Sequence, residues 1–363
     1  MKKVGILTFH FANNYGAILQ AYALKEVLLR MGYDVIFINR YYKPCFLKRL
    51  YINFRVGYNS KERNWLDFAK SRDKLIQPVT PYYSSYDASL KINYQNYHAI
   101  ITGSDQVWRY SFSHIGYGYY LDFVTNPSIR KVSYAASFGN KEWTENNAVT
   151  ENIKGLLYKF SAISVRETSG VEICKNIFGV NAKHVLDPTL LLDSFDYTDK
   201  ILNNYVPERD YSHFVVSYLL ANNQVPEVMR KLNYFANSNG CQFMDLYFID
   251  SANTNEYGIL NKVHVRLEEW LYAIKTAKYI VTNSFHATVF SILFKKQFVV
   301  LESNGHRSSR ISSLLNSLSI SGRYVTLENI SAEQLRNEID YSTVYKRLST
   351  LRTSSYGFLK DAL

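Results

Sequence analysis

Short apolar runs alternate with stretches of helical spacing along most of this chain, and nearly every run stops at a polar motif. A strand–helix alternation of that kind commits a chain to parallel sheets with helices on their faces. Val4-Gly5-Ile6-Leu7-Thr8-Phe9 is the first run, followed by the polar loop His10-Phe11-Ala12-Asn13-Asn14-Tyr15-Gly16. Ala17, Ile18, Ala21, Leu24 and Leu28 then recur at helical spacing. Gly32 stands where a left-handed C-cap belongs, and Asp34–Asn39 forms a second strand. This βαβ unit implies a right-handed crossover.

Residues 41–98 are basic and aromatic and read as an insertion, with a helix around Trp65, Phe68 and Leu75 that Pro78 ends. The alternation resumes with strands 99–102, 131–136, 162–165 and 183–186, and with helices over 147–160 and 168–178. A polar stretch at 193–212 marks a boundary. Beyond it come strands 213–220, 242–248, 278–282 and 297–301, and helices 226–238, 268–277, 284–294 and 309–318. The expected architecture is α/β: two doubly wound Rossmann-like domains facing a cleft. They would span 1–195 and 196–330, with two C-terminal helices over 331–363.

Composition narrows the partners. The 42 basic against 31 acidic side chains leave a formal charge of +11, with an apolar content of 47%. Such a surface suits polyanions, anionic headgroups or phosphorylated substrates. No zinc finger, RNP-like strand or dense Lys/Arg run favours nucleic acid. No apolar run reaches the roughly 18–20 residues of a membrane span. The N-terminal run lacks a cleavage site and reads as a strand. Cys45, Cys174 and Cys241 form neither a disulfide framework nor a metal pair, which points to a reducing cytoplasm. The 31 tyrosines and 21 phenylalanines are unusually many.

Ligands of open parallel sheets bind beyond the carboxyl ends of the strands, where the polar motifs of this chain fall. Ser284 in Asn283-Ser284-Phe285-His286 is a natural N-cap, so the helix start makes an anion site to which His286 adds a hydrogen bond or a proton. Arg166, directly after a strand, needs an anion: a bound phosphate or carboxyl group, or an ion pair with Glu167 or Asp187. Arg310 offers a second positive group. Asp105, on a Gly-Ser turn, suits general acid–base work or simple capping. His10, Asn13, Asn14 and Tyr15, with Gln20 a turn later, suit contacts to sugar hydroxyls, although Asn-Asn-Tyr-Gly also makes a turn unaided. Walker A, GxGxxG, HExxH and GxSxG motifs are all missing.

Together these motifs resemble the polysaccharide pyruvyl transferase family. The likeness runs from Gly5–His10 and Asn13–Leu24 through Gly103–Trp108, Ser133–Gly139 and Ser164–Glu167 to Asp187–Leu191 and Thr282–Phe290. It implies a two-domain fold like the GT-B glycosyltransferases. It also implies transfer of pyruvate from phosphoenolpyruvate onto two hydroxyls of one sugar, as a cyclic ketal, with release of phosphate. The sugar would belong to a cell-surface polysaccharide or a polyprenyl-pyrophosphate-linked precursor, with peripheral contact to an anionic membrane. No cofactor or metal is required, phosphoenolpyruvate being a substrate. The family's arginine and histidine correspond to Arg166, as anion clamp, and His286, as acid or phosphate partner. Asp105 is then the base, with the two acid–base roles open to exchange. Asn283, Ser284 and Arg310 join the donor side; residues 10–20 take the acceptor. Two other readings remain: a GT-B glycosyltransferase using a nucleotide sugar, and a non-catalytic saccharide-binding relative.

Overall fold

A computed structural model describes residues 1–40, 60–81, 94–113, 115–220, 225–246, 260–261, 265–302, 308–326, 329–330 and 332–363. Most of the 41–98 insertion, Cys45, Arg307 and the end of the expected strand 242–248 lie outside the described residues. By contacts the chain forms two units, one of Met1–Ile52, Ala69–Leu192 and Leu348–Leu363, the other of Asn53–Phe68 and Asp193–Arg347.

The first unit carries β1 (Lys3–Leu7), α1 (Tyr15–Arg30), β2 (Asp34–Phe37), β3 (Ala99–Thr102), β4 (Arg130–Ala136), α3 (Asn147–Leu157), β5 (Ala162–Val165), α4 (Thr168–Asn176) and β6 (Lys183–His184), and shares α2 (Ser60–Leu75) with the second. Its sheet is wholly parallel, in the order β2-β1-β3-β4-β5-β6. The chain leaves β1 towards one edge and returns to the other side of it, so the order reverses between β1 and β3. The loops after those two strands therefore flank the topological switch point, where doubly wound sheets hold their ligands.

The second unit holds β7 (Phe214–Tyr218), α5 (Val225–Ser238), β8 (Gln242–Asp245), β9 (Leu260–Asn261), α6 (Leu267–Thr276), β10 (Tyr279–Thr282), α7 (Phe285–Leu293), β11 (Gln297–Leu301), α8 (Ser308–Ser317), β12 (Tyr324–Val325) and α9 (Ala332–Arg336). Its parallel sheet runs β12-β11-β10-β7-β8-β9. Here the order reverses between β7 and β10, and the motif Asn283–His286 directly follows β10.

Two helices occupy the stretch where two were expected, α9 and the last helix, α10 (Tyr341–Ala362). Its first turns, to Arg347, belong to the second unit, where Tyr345 Oη donates to the Leu293 carbonyl at 2.8 Å. From Leu348 it belongs to the first, because Leu348, Leu359 and Ala362 are buried there. Several other tyrosines work in the same way, packing the ring and tying a backbone carbonyl with the hydroxyl. Tyr134 reaches the Leu186 carbonyl at 3.0 Å and Tyr356 that of Leu191 at 3.0 Å.

The core of the first unit centres on Trp108, fully buried and stacked on Tyr120 with ring centroids 5.6 Å apart. Trp108 Nε1 donates to the Tyr119 carbonyl at 3.2 Å, and Tyr120 Oη donates to the Trp108 carbonyl at 2.9 Å. Because this pair lies directly after the β3 loop, it fixes that loop to the core. Trp108→Ala is expected to cost about 3–5 kcal/mol in equilibrium urea denaturation. A loss below about 1 kcal/mol contradicts this packing account.

Candidate functional site

The loop after β1 is built largely from its own polar side chains. Asn14 is the N-cap of α1, its Oδ1 accepting from Ala17 N at 3.1 Å. Asn13 Oδ1 accepts from Arg72 at 2.8 Å, and the same guanidinium nitrogen holds the Phe11 carbonyl at 3.0 Å. Tyr15 is buried at the start of the helix. Gln20 is fully buried, and its Nε2 donates to Thr8 Oγ1 and to the Ala17 carbonyl, both at 2.9 Å. Thr8 in turn donates to the Ser104 carbonyl at 2.9 Å, which joins the two switch-point loops of this unit. The Gln20 amide nitrogen thus helps to hold the loop. The exposed members of the loop are Asn13 and Asn14.

His10 is buried as well. Its Nδ1 meets the Thr8 carbonyl at 3.1 Å, and its Nε2 meets Asn39 Oδ1 at 2.8 Å. Burial pushes the imidazole down from 6.5 to about 4, against the pull of those two oxygens. The unfolded chain therefore binds the proton first as pH falls. The stability that His10 lends is complete above about pH 6.5 and is lost towards pH 4.

The loop after β3 is laid against the end of β4. Gly103 has φ +108°, and a Cβ there would lie 2.3 Å from the Tyr134 carbonyl oxygen, so only glycine fits. The Gly103–Ser104 peptide is cis. Asp105 sits at φ +76°, and its carbonyl accepts from Ser137 N at 2.9 Å, beside an irregularity in β4 where Ala135 also has positive φ. Bulges and positive φ at non-glycine residues cluster at functional sites.

Arg166, at the end of β5 and 3% exposed, points into this region. One of its terminal nitrogens lies 2.7 Å from Asp187 Oδ2 and the other 3.4 Å from Asp105 Oδ1. Burial works against its charge, but Asp187, Asp105 and Glu167 outweigh that and hold the guanidinium above its ordinary value. Of the partners open to Arg166 in the sequence, the structure shows Asp187, and it adds Asp105. The guanidinium thus faces two carboxylates at the end of β5 and helps to hold Asp105. Asp105 Oδ1 also accepts from Gln106 N at 2.8 Å, and among the described residues no hydrogen bond reaches its Oδ2. Glu167, fully buried, accepts from Ser137 Oγ at 2.9 Å and Phe138 N at 3.1 Å.

In the second unit, Ser284 caps α7 as expected, its Oγ accepting from Ala287 N at 3.4 Å. His286 lies in the first turn of that helix, 8% exposed. Arg310 lies in α8, which packs against α7, and is also buried. Asn283 departs from expectation. Its Oδ1 accepts from Leu220 N at 2.7 Å and its Nδ2 donates to the Leu220 carbonyl at 3.1 Å. The amide stitches the chain after β10 to the chain after β7, where the ladder has ended, and so positions the helix start instead of meeting a ligand. Thr282 Oγ1, donating to the Tyr218 carbonyl at 2.6 Å and accepting from Ser284 N at 3.0 Å, does the same. Among the described residues no group of His, Cys, Asp and Glu is arranged to hold a metal ion, and no helix is long and apolar enough to cross a membrane.

Two parallel Rossmann-like units with loops at their switch points define the class of the GT-B glycosyltransferases and related epimerases. Solved structures agree. The S. aureus MnaA–UDP complex matches with TM-score 0.53 and 11% identity over 100% of this chain and 91% of that one. UGT89C1 of Arabidopsis thaliana matches at 0.52 and 10%, over 98% and 99%. UDP-GlcNAc 2-epimerase from Methanocaldococcus jannaschii matches at 0.51 and 12%, over 96% and 92%. These likenesses establish the fold. No curated protein matches the sequence. The model of the polysaccharide pyruvyl transferase family matches residues 14–305, and the chain belongs to that family.

The buried imidazole gives a direct check. Between pH 6.5 and 4, wild-type unfolding free energy is expected to carry a slope from His10 of up to about 1.4 kcal/mol per pH unit. His10→Gln removes that component; urea denaturation at a series of pH values in this window reads it. An identical slope in the variant contradicts the assignment.

Proposed function

We propose that this transferase moves pyruvate from phosphoenolpyruvate onto two hydroxyls of one sugar, in a cell-surface polysaccharide or its lipid-linked precursor, forming a cyclic ketal. The observation that carries the reading is Asp105 at the switch point of the first unit: one carboxylate oxygen is held by Arg166 and a backbone N–H, and the other is open. A carboxylate with one oxygen anchored and the other unbonded is placed to take a proton from a hydroxyl set against it. That favours Asp105 as the group accepting the hydroxyl proton and His286 as the acid or phosphate partner. The α7 start, with Ser284 and Arg310, suits the donor's phosphate and carboxylate.

In this scheme His286 protonates the methylene carbon of phosphoenolpyruvate, and C2 becomes electrophilic. A sugar hydroxyl attacks C2 while Asp105 takes its proton. The C2–O bond to phosphate breaks, and the second hydroxyl of the same sugar attacks C2 to close the ring. Of the two hydroxyl protons, one is balanced by the new methyl group and the other leaves with phosphate. No step is assigned to a metal or organic cofactor.

Incubation with phosphoenolpyruvate and a panel of galactosides, glucosides and mannosaminides, followed by mass spectrometry, tests this reading; the expected product is a sugar bearing one pyruvate ketal with one phosphate released. Asp105→Asn and His286→Ala are each expected to lower phosphate release by roughly 10²–10⁴-fold. Unchanged rates in both contradict the assignment. Phosphoenolpyruvate, and not a UDP-sugar, should raise the melting temperature. The reverse result favours a nucleotide-sugar transferase, and carbohydrate binding without phosphate release favours a non-catalytic relative.

The charge is distributed in keeping with a polyanionic or lipid-linked acceptor. The first unit holds 23 basic and 13 acidic side chains, net +10, whereas the second holds 19 and 18, net +1. Peripheral contact with an anionic bilayer through the first unit follows as part of the proposal. Flotation with vesicles containing phosphatidylglycerol should show binding at low salt that falls at about 0.5 M salt. Binding that is insensitive to salt contradicts an electrostatic contact.

A further inference from the structure

The motif Asp187-Pro188-Thr189 follows the short strand β6, and its carboxylate accepts four hydrogen bonds. Asp187 is 1% exposed. Its Oδ2 accepts from Arg166 at 2.7 Å and from Ser104 Oγ at 2.8 Å. Its Oδ1 accepts from Thr189 N at 3.0 Å and Thr189 Oγ1 at 2.6 Å. The backbone on either side is fixed in turn. Leu186 N donates to Ser355 Oγ at 3.0 Å, and its carbonyl accepts from Tyr134. Arg352 holds the carbonyls of Leu190 and Leu192 at 2.5 and 2.7 Å.

Two of the bonds to Asp187 converge on Asp105 by different routes. The guanidinium of Arg166 bridges the two carboxylates, so Asp187 sets the guanidinium that holds Asp105 Oδ1. Ser104 precedes Asp105 in the chain, so its hydroxyl pins the peptide from which Asp105 departs at positive φ. One buried carboxylate thereby fixes both the side chain and the backbone of the residue with the open oxygen. The other titratable or charged groups around it are Glu167, Tyr134 and His184, whose Nε2 meets the Arg166 carbonyl at 3.1 Å.

We infer that Asp187 is a positioning residue for pyruvyl transfer: through Arg166 and Ser104 it holds Asp105 with one oxygen tied and one free, and its negative charge keeps Arg166 from capturing the Asp105 carboxylate outright. The inference rests on the reading above, in which Asp105 takes the hydroxyl proton. Without the charge at Asp187, the guanidinium pairs more strongly with Asp105. The side chain then loses the orientation that leaves its second oxygen available to a hydroxyl.

Steady-state phosphate release from phosphoenolpyruvate, with the best acceptor of the sugar panel, tests this in the full-length protein. Asp187→Asn should lower kcat at least about 10-fold, with KM for phosphoenolpyruvate changed less than about twofold. Asp187→Glu should recover part of the rate. Ser104→Ala keeps the ion pair, and so covers the case in which Asp187→Asn fails to fold; it should lower kcat at least about threefold at unchanged KM. A folded Asp187→Asn whose loss falls on KM and leaves kcat unchanged overturns the inference, as does a full rate in Ser104→Ala. No phosphate release by the wild-type protein with any acceptor overturns the transfer reading and this inference with it.

Discussion

A guanidinium taken out of water must meet anions, and in the first unit the buried Arg166 meets two. Removing one partner of such a pair leaves an uncompensated buried charge, at a cost of roughly 3–5 kcal/mol. The surrounding elements are arranged so that this does not happen. Strand β5 ends at Arg166, the short β6 delivers Asp187, and β3 runs into the glycine turn that presents Asp105. Thr8 and Gln20 bind the β1 loop to the same turn. The ends of four strands are thereby organised around one positive charge, and the group left with an open oxygen is Asp105.

The second unit reaches its switch point by other means. There the ion pair is replaced by short neutral bonds: Asn283 closes on the backbone of Leu220, Thr282 on that of Tyr218, and Ser284 caps α7. The result is a fixed helix start, whose positive dipole end suits an anion. Helix α10 serves both units. Tyr345 near its beginning holds the carbonyl at the end of α7, and Arg352 further along holds the chain after Asp187. The helix thus contributes bonds within each unit.

Much of the fold was legible in the sequence because the cues were local. Apolar run length and the motif at each strand end located β1, β3, β10 and β11, and Gly32 marked the end of α1 with φ +85°. Ser284 was readable as a cap for the same reason. The departures come from contacts distant in sequence. Gln20 looked like a polar residue available to a ligand, but its partner Thr8 lies on β1's far side of the loop and buries it. Asn283 looked like part of an anion site, yet its amide answers a backbone 63 residues away. Arg166 left several partners open, and only the fold selects Asp187, 21 residues on. The two-residue strands β9 and β12 have too little sequence to carry a periodicity, and the division of α10 between units depends on which core buries each turn.

If Asp187, Arg166 and Asp105 act as one device, their effects on rate cannot add. A double-mutant cycle on kcat for phosphate release, using Asp105→Asn, Asp187→Asn and the double variant, measures this directly. The account predicts that the double variant is no slower than Asp105→Asn alone, because Asp187 acts only through Asp105. A double variant slower by the full product of the two single effects contradicts it.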